Sequence, residues 1–376
     1  MQMIAAVMYQ QALPTPYADS APFRIEDVEL ESPGEGEVLV KVMAAGLCHS
    51  DLSTVAGTNK RALPLVGGHE GAGIVQEVGP GVKRLAPGDH VVMTVASGCG
   101  HCRYCVEGRS LLCDAVAATR VAGQLTNGQR RLSINGRPAY HYAGLSSFAQ
   151  YAVTVPSALV KIDPEIPLDV AALFGCAVVT GAGSVFNAAK VRPGQSVAVF
   201  GLGGVGLNAV MAAKISGASE IIGVDINEDK FALAKELGCT CCISPTDPKA
   251  TEQVRDLTHG GVDFAFEMSG ARPAMASANA MTCKGGEIVC VGLGNFADMY
   301  DYPHARLVAE ERVLRGCFMG SGVAERDIPA YLAFYLQGRM PVDRLKSSSI
   351  GFGELNLALD RLDRGEVVRQ VLLPQG

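Results

Sequence analysis

The rhythm of apolar and polar positions changes twice along the chain. Up to about residue 155, short runs rich in β-branched residues (38–44, 72–78, 90–95 and 148–155) are separated by turn signals such as Pro33-Gly34, Pro80-Gly81 and Pro87-Gly88. This predicts an irregular β domain. From about residue 178, apolar strands alternate with helical periods. Strands are predicted at 196–200, 220–225, 240–243, 262–267, 287–291 and 313–318. The helices between them fall at about 203–216, 228–237, 251–257 and 274–281. Such alternation means βαβ units and a six-stranded parallel sheet covered on both faces, an α/β fold. The tail (helices at 328–336 and 354–362, a strand at 367–373) lacks it and is expected to return to the first domain. The expected division is 1–177, 178–320 and 321–376.

Two apolar stretches raise the question of a membrane. Residues 170–189 carry no charge and are long enough to span a bilayer, and 197–213 is nearly as apolar. Gly175, Thr180, Gly181, Gly183, Ser184 and Asn187 interrupt the first, and glycines and Asn208 the second. Both read as buried elements of a water-soluble protein. Across all 376 residues, 48% are hydrophobic and 19% charged, which excludes disorder. A net charge of −6 argues against duplex DNA or an anionic membrane as partner. The N-terminal residues show no basic, apolar and cleavage-site order of a secretory signal. The twelve cysteines therefore read as reduced cytoplasmic thiols, some of them on metals.

Gly201-Leu202-Gly203-Gly204-Val205-Gly206 matches G-x-G-x-x-G. Chance matches come easily with 44 glycines, but here a predicted strand precedes the motif and a helix starts in it. Gly201 permits the tight turn, Gly203 lets backbone amides approach a pyrophosphate, and Gly206 lets helix pack on strand. Asp225 ends the next strand, placed to accept hydrogen bonds from ribose hydroxyls, which favours NAD over NADP. Lys230 is within reach of the same ribose; the competing reading is a solvated surface lysine.

Cys99, Cys102, Cys105 and Cys113 stand as C-x-x-C-x-x-C-x₇-C. Four thiolates at such spacing can close on one tetrahedral ion, a structural zinc. A [4Fe–4S] cluster takes the same ligand count. His101 reads as a loop residue. Cys48, His69 with Glu70, and Cys176 form a dispersed set; two cysteines and a histidine would leave an open fourth position on a catalytic zinc. Spacing alone does not link them, and a buried cysteine and a core histidine are the default. Cys239, Cys241, Cys242, Cys283, Cys290 and Cys317 read as small core residues; the first three lie along a strand whose side chains alternate in direction.

Taken together, GLCHSD, GGHEGAGIV, PGDHVV, CGHCRYC with Cys113, FGCAVVTG, VAVFGLGGVGL and IIGVDINEDKFALAKELG resemble the zinc-dependent medium-chain alcohol dehydrogenases. The likeness runs nearly end to end and is greatest for the branch of the animal alcohol dehydrogenases and glutathione-dependent formaldehyde dehydrogenase. It implies a GroES-like β domain plus a doubly wound Rossmann domain, with the active site in the cleft between them. It implies Cys48, His69 and Cys176 on the catalytic zinc, Glu70 as a carboxylate able to approach that zinc, and Asp51 orienting His69. Ser50 would take the alcohol proton, and His49 and Arg369 would reach the pyrophosphate. Thr180, Val205 and Val291 would lie beside the cofactor. Val95, Tyr142, Leu293 and Phe318 would line the substrate pocket. Two zinc ions per chain, NAD, a primary or secondary alcohol exchanging with its aldehyde or ketone, and a homodimer follow. The 30 residues between Cys113 and Gly144 match the dimeric branch, with a tetramer as the other family state.

Departures narrow the substrate. Ser53 replaces the histidine that ends the proton relay in many relatives. Ala117 stands where the glutathione-dependent enzymes carry an arginine, and Gly57-Thr58-Asn59-Lys60-Arg61 lacks their acidic pair. A glutathione conjugate is thereby disfavoured, while Val95, at a wall position often aromatic, hints at room for a bulky alcohol. The alternatives are a formaldehyde dehydrogenase using another thiol, a nicotinoprotein that retains its cofactor, and a non-catalytic NAD-binding protein.

Overall fold

The computed structural model describes residues 1–295 and 297–376. They form two compact units. The first comprises Met1–Cys176, Val323–Pro329 and Val342–Gly376; the second comprises Ala177–Gly322 and Ala330–Pro341.

The first unit is built on two mostly antiparallel sheets. One is six-stranded, with Gln2–Met8 paired to Phe23–Leu30 over seven residue pairs. Its core includes Met3, Val7, Val28, Leu30, Leu39, Val66 and Val153. Neither of these two strands is among those predicted from the sequence, although Pro14, Pro16 and Pro22 lie between them and Pro33-Gly34 follows the second. The other sheet has seven strands and centres on Val38–Leu47, which pairs with Gly71–Val78, Tyr151–Thr154 and the tail strand Arg369–Leu372. The tail strand thus lies beside the strand that leads into Cys48. The segment 330–341, expected to travel with the tail, clusters with the second unit instead. Tyr331 and Phe334 of helix Ala324–Leu336 pack on Phe186 there, with ring centroids 5.6 and 5.9 Å away.

The second unit carries a six-stranded sheet in the spatial order Cys241–Ile243, Glu220–Val224, Ser196–Phe200, Val262–Glu267, Thr282–Cys290, Val313–Gly316. Every neighbouring pair is parallel. This is the doubly wound 3-2-1-4-5-6 order, whose switch point lies between the first and fourth strands. Ala198, Phe200, Ile222, Val224, Ala265 and Ile288 pack against helix residues Val254, Ala278 and Met281.

The uncharged stretch 170–189 is buried through Val185 and breaks at Cys176, whose φ and ψ of −142° and −67° leave the helix. Among the described residues no single helix is long and apolar enough to cross a membrane.

Candidate active site and metal centres

Sheet register explains how residues 128 positions apart meet. Val38–Leu47 delivers Cys48 at its end, and Ala45 pairs with Gly71, directly after His69 and Glu70. Gly71 in turn pairs with Met93. The hydroxyl of the following Thr94 donates to the carbonyl of Gly175 at 2.7 Å, tying down the residue before Cys176. Gly175 packs so closely that a Cβ there would lie 2.3 Å from the Met93 carbonyl oxygen.

The ligand atoms of Cys48, His69 and Cys176 lie within 4.8 Å of one another, and all three residues are buried. His69 Nδ1 donates to Asp51 Oδ1 at 3.0 Å, while its buried Nε2 has no hydrogen-bond partner. A buried ring nitrogen without a partner is costly unless something accepts its lone pair. A Cys₂His donor set fits zinc and leaves one position for a further ligand. Asp51 Oδ2 accepts the Cys48 backbone N–H at 2.9 Å, so one carboxylate fixes two of the three ligands. The thiol of Cys48 is held well below its ordinary pKa by the Cys176 thiol, against burial, with help from His69 and Arg369. Burial pulls His69 down, but Asp51 and Cys48 outweigh it and hold the imidazole well above its ordinary value.

Cys48 is also the N-cap of helix His49–Val55, with Asp51 at the third helical position completing a capping box. Hydrophobic periodicity does not reveal this helix, although Cys-x-x-Asp ahead of Leu52 and Val55 carries the capping signal. Ser50 Oγ lies 3.9 Å from Cys48 Sγ, and His49 is exposed. Tyr142, also unlinked to the helix by sequence, donates to the Ser50 carbonyl at 3.0 Å and shares a 2.9 Å hydrogen bond with Thr54. Its ring meets His69 edge-on, with centroids 5.5 Å apart. Burial pushes the Tyr142 phenol up to about 12, so it stays protonated.

Glu70 is fully buried and ion-paired to Arg369, the first residue of the strand whose Gln370 pairs with Leu47 and Val371 with Gly46. A Cβ at Gly46 would lie 2.6 Å from Glu70 Oε1 and 2.9 Å from Arg369 Nη2, so glycine is what admits the pair. Arg369, assigned to the pyrophosphate by the resemblance, therefore has its guanidinium on Glu70. Val95 is buried in the same unit; Leu293 and Phe318 belong to the second unit and are exposed by 59% and 43%.

The four cysteines 99, 102, 105 and 113 form a second cluster, their sulfurs within 4.8 Å of one another. Cys99 and Cys105 are 3.9 Å apart, close to the about 3.8 Å that tetrahedral Zn–S bonds impose. Backbone N–H groups of His101 and Cys102 lower the Cys99 thiol to about 6, whereas burial raises Cys105 to about 12. Four sulfurs leave no open position, which suits a structural zinc. The His101 ring donates to the Cys99 carbonyl at 2.9 Å, as a loop residue would.

The glycine loop follows strand Ser196–Phe200. Gly201 has φ +98°, a value L side chains rarely adopt. A Cβ at Gly203 would meet nothing within 4 Å, and one at Gly206 would lie 1.9 Å from the Gly201 carbonyl oxygen. Gly204 begins helix Gly204–Ile215, whose first N–H groups can receive a pyrophosphate. Asp225 Oδ2 accepts the Leu202 N–H at 2.7 Å and Oδ1 that of Asn227 at 2.9 Å, while Lys230 Nζ approaches to 3.1 Å. Lys230 is thus an ion-pair partner of the acidic position. Thr180 is buried beside Met319, and the Val205 carbonyl lies 2.1 Å from a Cβ built at Gly181. The Val291 N–H donates to the Glu267 carbonyl at 2.8 Å. Of the six cysteines read as core residues, Cys239 and Cys317 are buried, but Cys241, Cys242, Cys283 and Cys290 are only half-buried.

A GroES-like unit with a three-ligand centre and a doubly wound unit with a dinucleotide loop together define a zinc-binding dehydrogenase. Residues 34–164 match the alcohol dehydrogenase GroES-like domain and 204–337 the zinc-binding dehydrogenase domain. The alcohol dehydrogenase class-P of Arabidopsis thaliana is 39% identical over 356 residues, 93% of this chain and 94% of that one. Two crystal structures cover 99% of this chain and are themselves covered to 99%. One is an alcohol dehydrogenase zinc-binding domain protein from Burkholderia ambifaria (TM-score 0.93, 36% identity). The other is the benzyl alcohol dehydrogenase of Acinetobacter calcoaceticus (TM-score 0.92, 32% identity). The chain belongs to the zinc-dependent medium-chain alcohol dehydrogenase family.

Proposed function

We propose that the protein catalyses reversible hydride transfer between a primary or secondary alcohol and NAD, giving an aldehyde or ketone. The observation that carries this reading is the convergence of Cys48, His69 and Cys176 with an unpartnered His69 Nε2. When bound there, zinc supplies the Lewis acidity that makes an alcohol hydroxyl acidic near neutral pH, and NAD supplies the hydride acceptor. The chain's own residues do the rest. Asp51 holds His69 in one tautomer and orientation through Nδ1. Ser50, beside Cys48, takes the alcohol proton and passes it onward; with serine at position 53, solvent receives it. Tyr142, protonated and anchored by Thr54 and the Ser50 carbonyl, walls the ligand set. Two zinc ions per chain follow from the two cysteine-containing clusters.

A panel of short, long, aromatic and branched alcohols with NAD⁺ and NADP⁺ tests the reading; no turnover of any alcohol with either cofactor refutes it. NAD⁺ is expected to exceed NADP⁺ at least tenfold in kcat/KM, because the Asp225 carboxylate opposes a 2′-phosphate. Asp225→Ser is expected to narrow that gap by about tenfold.

A cytoplasmic setting fits the absence of any disulfide among the described cysteines. A homodimer is supported by the edge strand Val313–Gly316, exposed at all four positions and paired on one side only among the described residues. Leu314 and Phe318 are exposed nearby in the chain. Light scattering is expected to give twice the chain mass, and Leu314→Glu to shift it toward the monomer; a wild-type monomer at micromolar concentration contradicts this.

A further inference from the structure

Three cysteines stand together at the edge of the parallel sheet and take no part in the chemistry proposed above. Cys239-Thr240-Cys241-Cys242 follows helix Phe231–Leu237, and the edge strand begins only at Cys241. The chain bends at Thr240, so Cys239 lies off the strand. Cys241 and Cys242, being neighbours on the strand, point to opposite faces. Cys241 packs against the core that holds Ile222 and Val254. Cys242 faces the helix, its Sγ 3.8 Å from the Phe231 carbonyl oxygen, and pairs with Gly223 of the next strand. A Cβ at Gly223 would lie 3.0 Å from Cys239 Sγ. The missing side chain at position 223 thus leaves the space in which Cys239 reaches Cys242. The Cys239 thiol donates a hydrogen bond to the Cys242 sulfur. That bond, opposed by burial and helped by Lys235 and the Gly223 backbone, lowers the Cys242 thiol, while the same contact and burial raise Cys239. One sulfur is thereby poised as the nucleophile and its neighbour keeps a proton.

The same point over Gly223 is 3.1 Å from Leu202 Cδ1. Leu202 is the second residue of the glycine loop, and its N–H is held by Asp225, two residues beyond Gly223. The sulfur pair therefore shares its packing with the turn that receives the cofactor on the NAD reading. We propose that Cys239 and Cys242 form a redox pair that hydrogen peroxide closes to a disulfide, and that closure weakens cofactor binding at the glycine loop. Half-buried Cys242, on the edge strand, is the sulfur that peroxide reaches first. Its thiolate attacks one peroxide oxygen, the O–O bond breaks, and the departing hydroxide takes a proton from solvent. The Cys239 sulfur then displaces the oxygen of the resulting sulfenic acid; the S–S bond forms, the S–O bond breaks, and the Cys239 proton leaves with that oxygen as water. Two thiols have lost two electrons and two protons, and one peroxide has become two waters. In closing, Cys239 Sγ shifts from its seat over Gly223, against which Leu202 also rests. An external dithiol reopens the bond by exchange, as suits a transient disulfide in a reducing compartment.

The purified holoenzyme is titrated with hydrogen peroxide, quenched with catalase and alkylated. Peptide mass mapping is expected to show a Cys239–Cys242 disulfide that dithiothreitol reverses, with the zinc content unchanged. NADH fluorescence is expected to give a Kd raised about fivefold or more by oxidation. Cys241→Ser, altered on the other face, is expected to keep both effects. Cys242→Ser and Cys239→Ala are each expected to lose both while binding NADH as the reduced wild type does. The proposal is overturned by absence of the disulfide, by a disulfide through Cys241 instead, or by a Cys239–Cys242 disulfide that leaves NADH affinity unchanged. It is equally overturned if peroxide weakens NADH binding to Cys242→Ser as much as to the wild type, which places the oxidation elsewhere. The cofactor effect rests on the NAD reading. Should the reduced wild type bind neither NADH nor NADPH, that reading fails, and mapping alone then decides the redox pair: a Cys239–Cys242 disulfide supports it and its absence overturns it.

Discussion

Cys48→Ser is expected to lower turnover of the best alcohol by about a thousandfold or more while leaving the fold standing. The size follows from what is lost. Substitutions that only touch partners of metal ligands already cost roughly 10–100-fold. Removing a thiolate from a set of three deprives the centre of a ligand and of negative charge. The fold survives for a local reason: Cys48 is the N-cap of helix His49–Val55, and serine is among the best N-cap residues. Its hydroxyl can take over the cap, and Asp51 can still accept the backbone N–H of position 48. Elemental analysis should show the zinc content falling from two per chain to one, with the melting temperature changed by no more than a few degrees. Retained turnover refutes the proposed centre; loss of the fold together with turnover refutes the separation of catalysis from stability.

Cys102→Ser should do the reverse: it removes the other zinc and acts on stability before chemistry. The loop from Cys99 to Cys113 has almost nothing else to hold it. Leu111 and Cys113 are its only buried hydrophobic residues, whereas Val106 is 76% exposed. On the proposed reading, its ordering depends on four sulfurs sharing one ion, and metal binding at such a site contributes directly to folding. Losing it is expected to cost about 3 kcal/mol or more and to lower the melting temperature by roughly 10 °C. Fresh enzyme should keep much of its initial activity but inactivate faster on warming, with the catalytic zinc still present. A variant with unchanged zinc content and unchanged melting temperature contradicts this.

Much of this molecule is legible along the chain. All six strands of the parallel sheet, the helix that opens in the glycine loop and the tail strand are signalled by local pattern. Their signals are short-range: a strand and the turn beside it are set by neighbours a few residues away. The four-cysteine loop is legible for the same reason, since its ligands lie within fifteen consecutive positions. The first unit is harder to read. Gln2–Met8 and Phe23–Leu30 owe their strand form to each other's hydrogen bonds, and helix His49–Val55 is too short to show a period. The division of the tail is hidden as well, because the packing of Tyr331 and Phe334 on Phe186 overrides chain continuity.

The class of each unit, the phosphate-binding turn and the closed cysteine cluster are settled by the chain alone, because each is written in residues that are neighbours along it. The union of Cys48, His69 and Cys176 in one centre belongs to the folded state. It is sheet register, Ala45 against Gly71 and Gly71 against Met93, that brings them together. Folding likewise sets Arg369 on the fully buried Glu70. Which charges neutralise one another depends on distances across the fold, and periodicity along the chain carries no record of those.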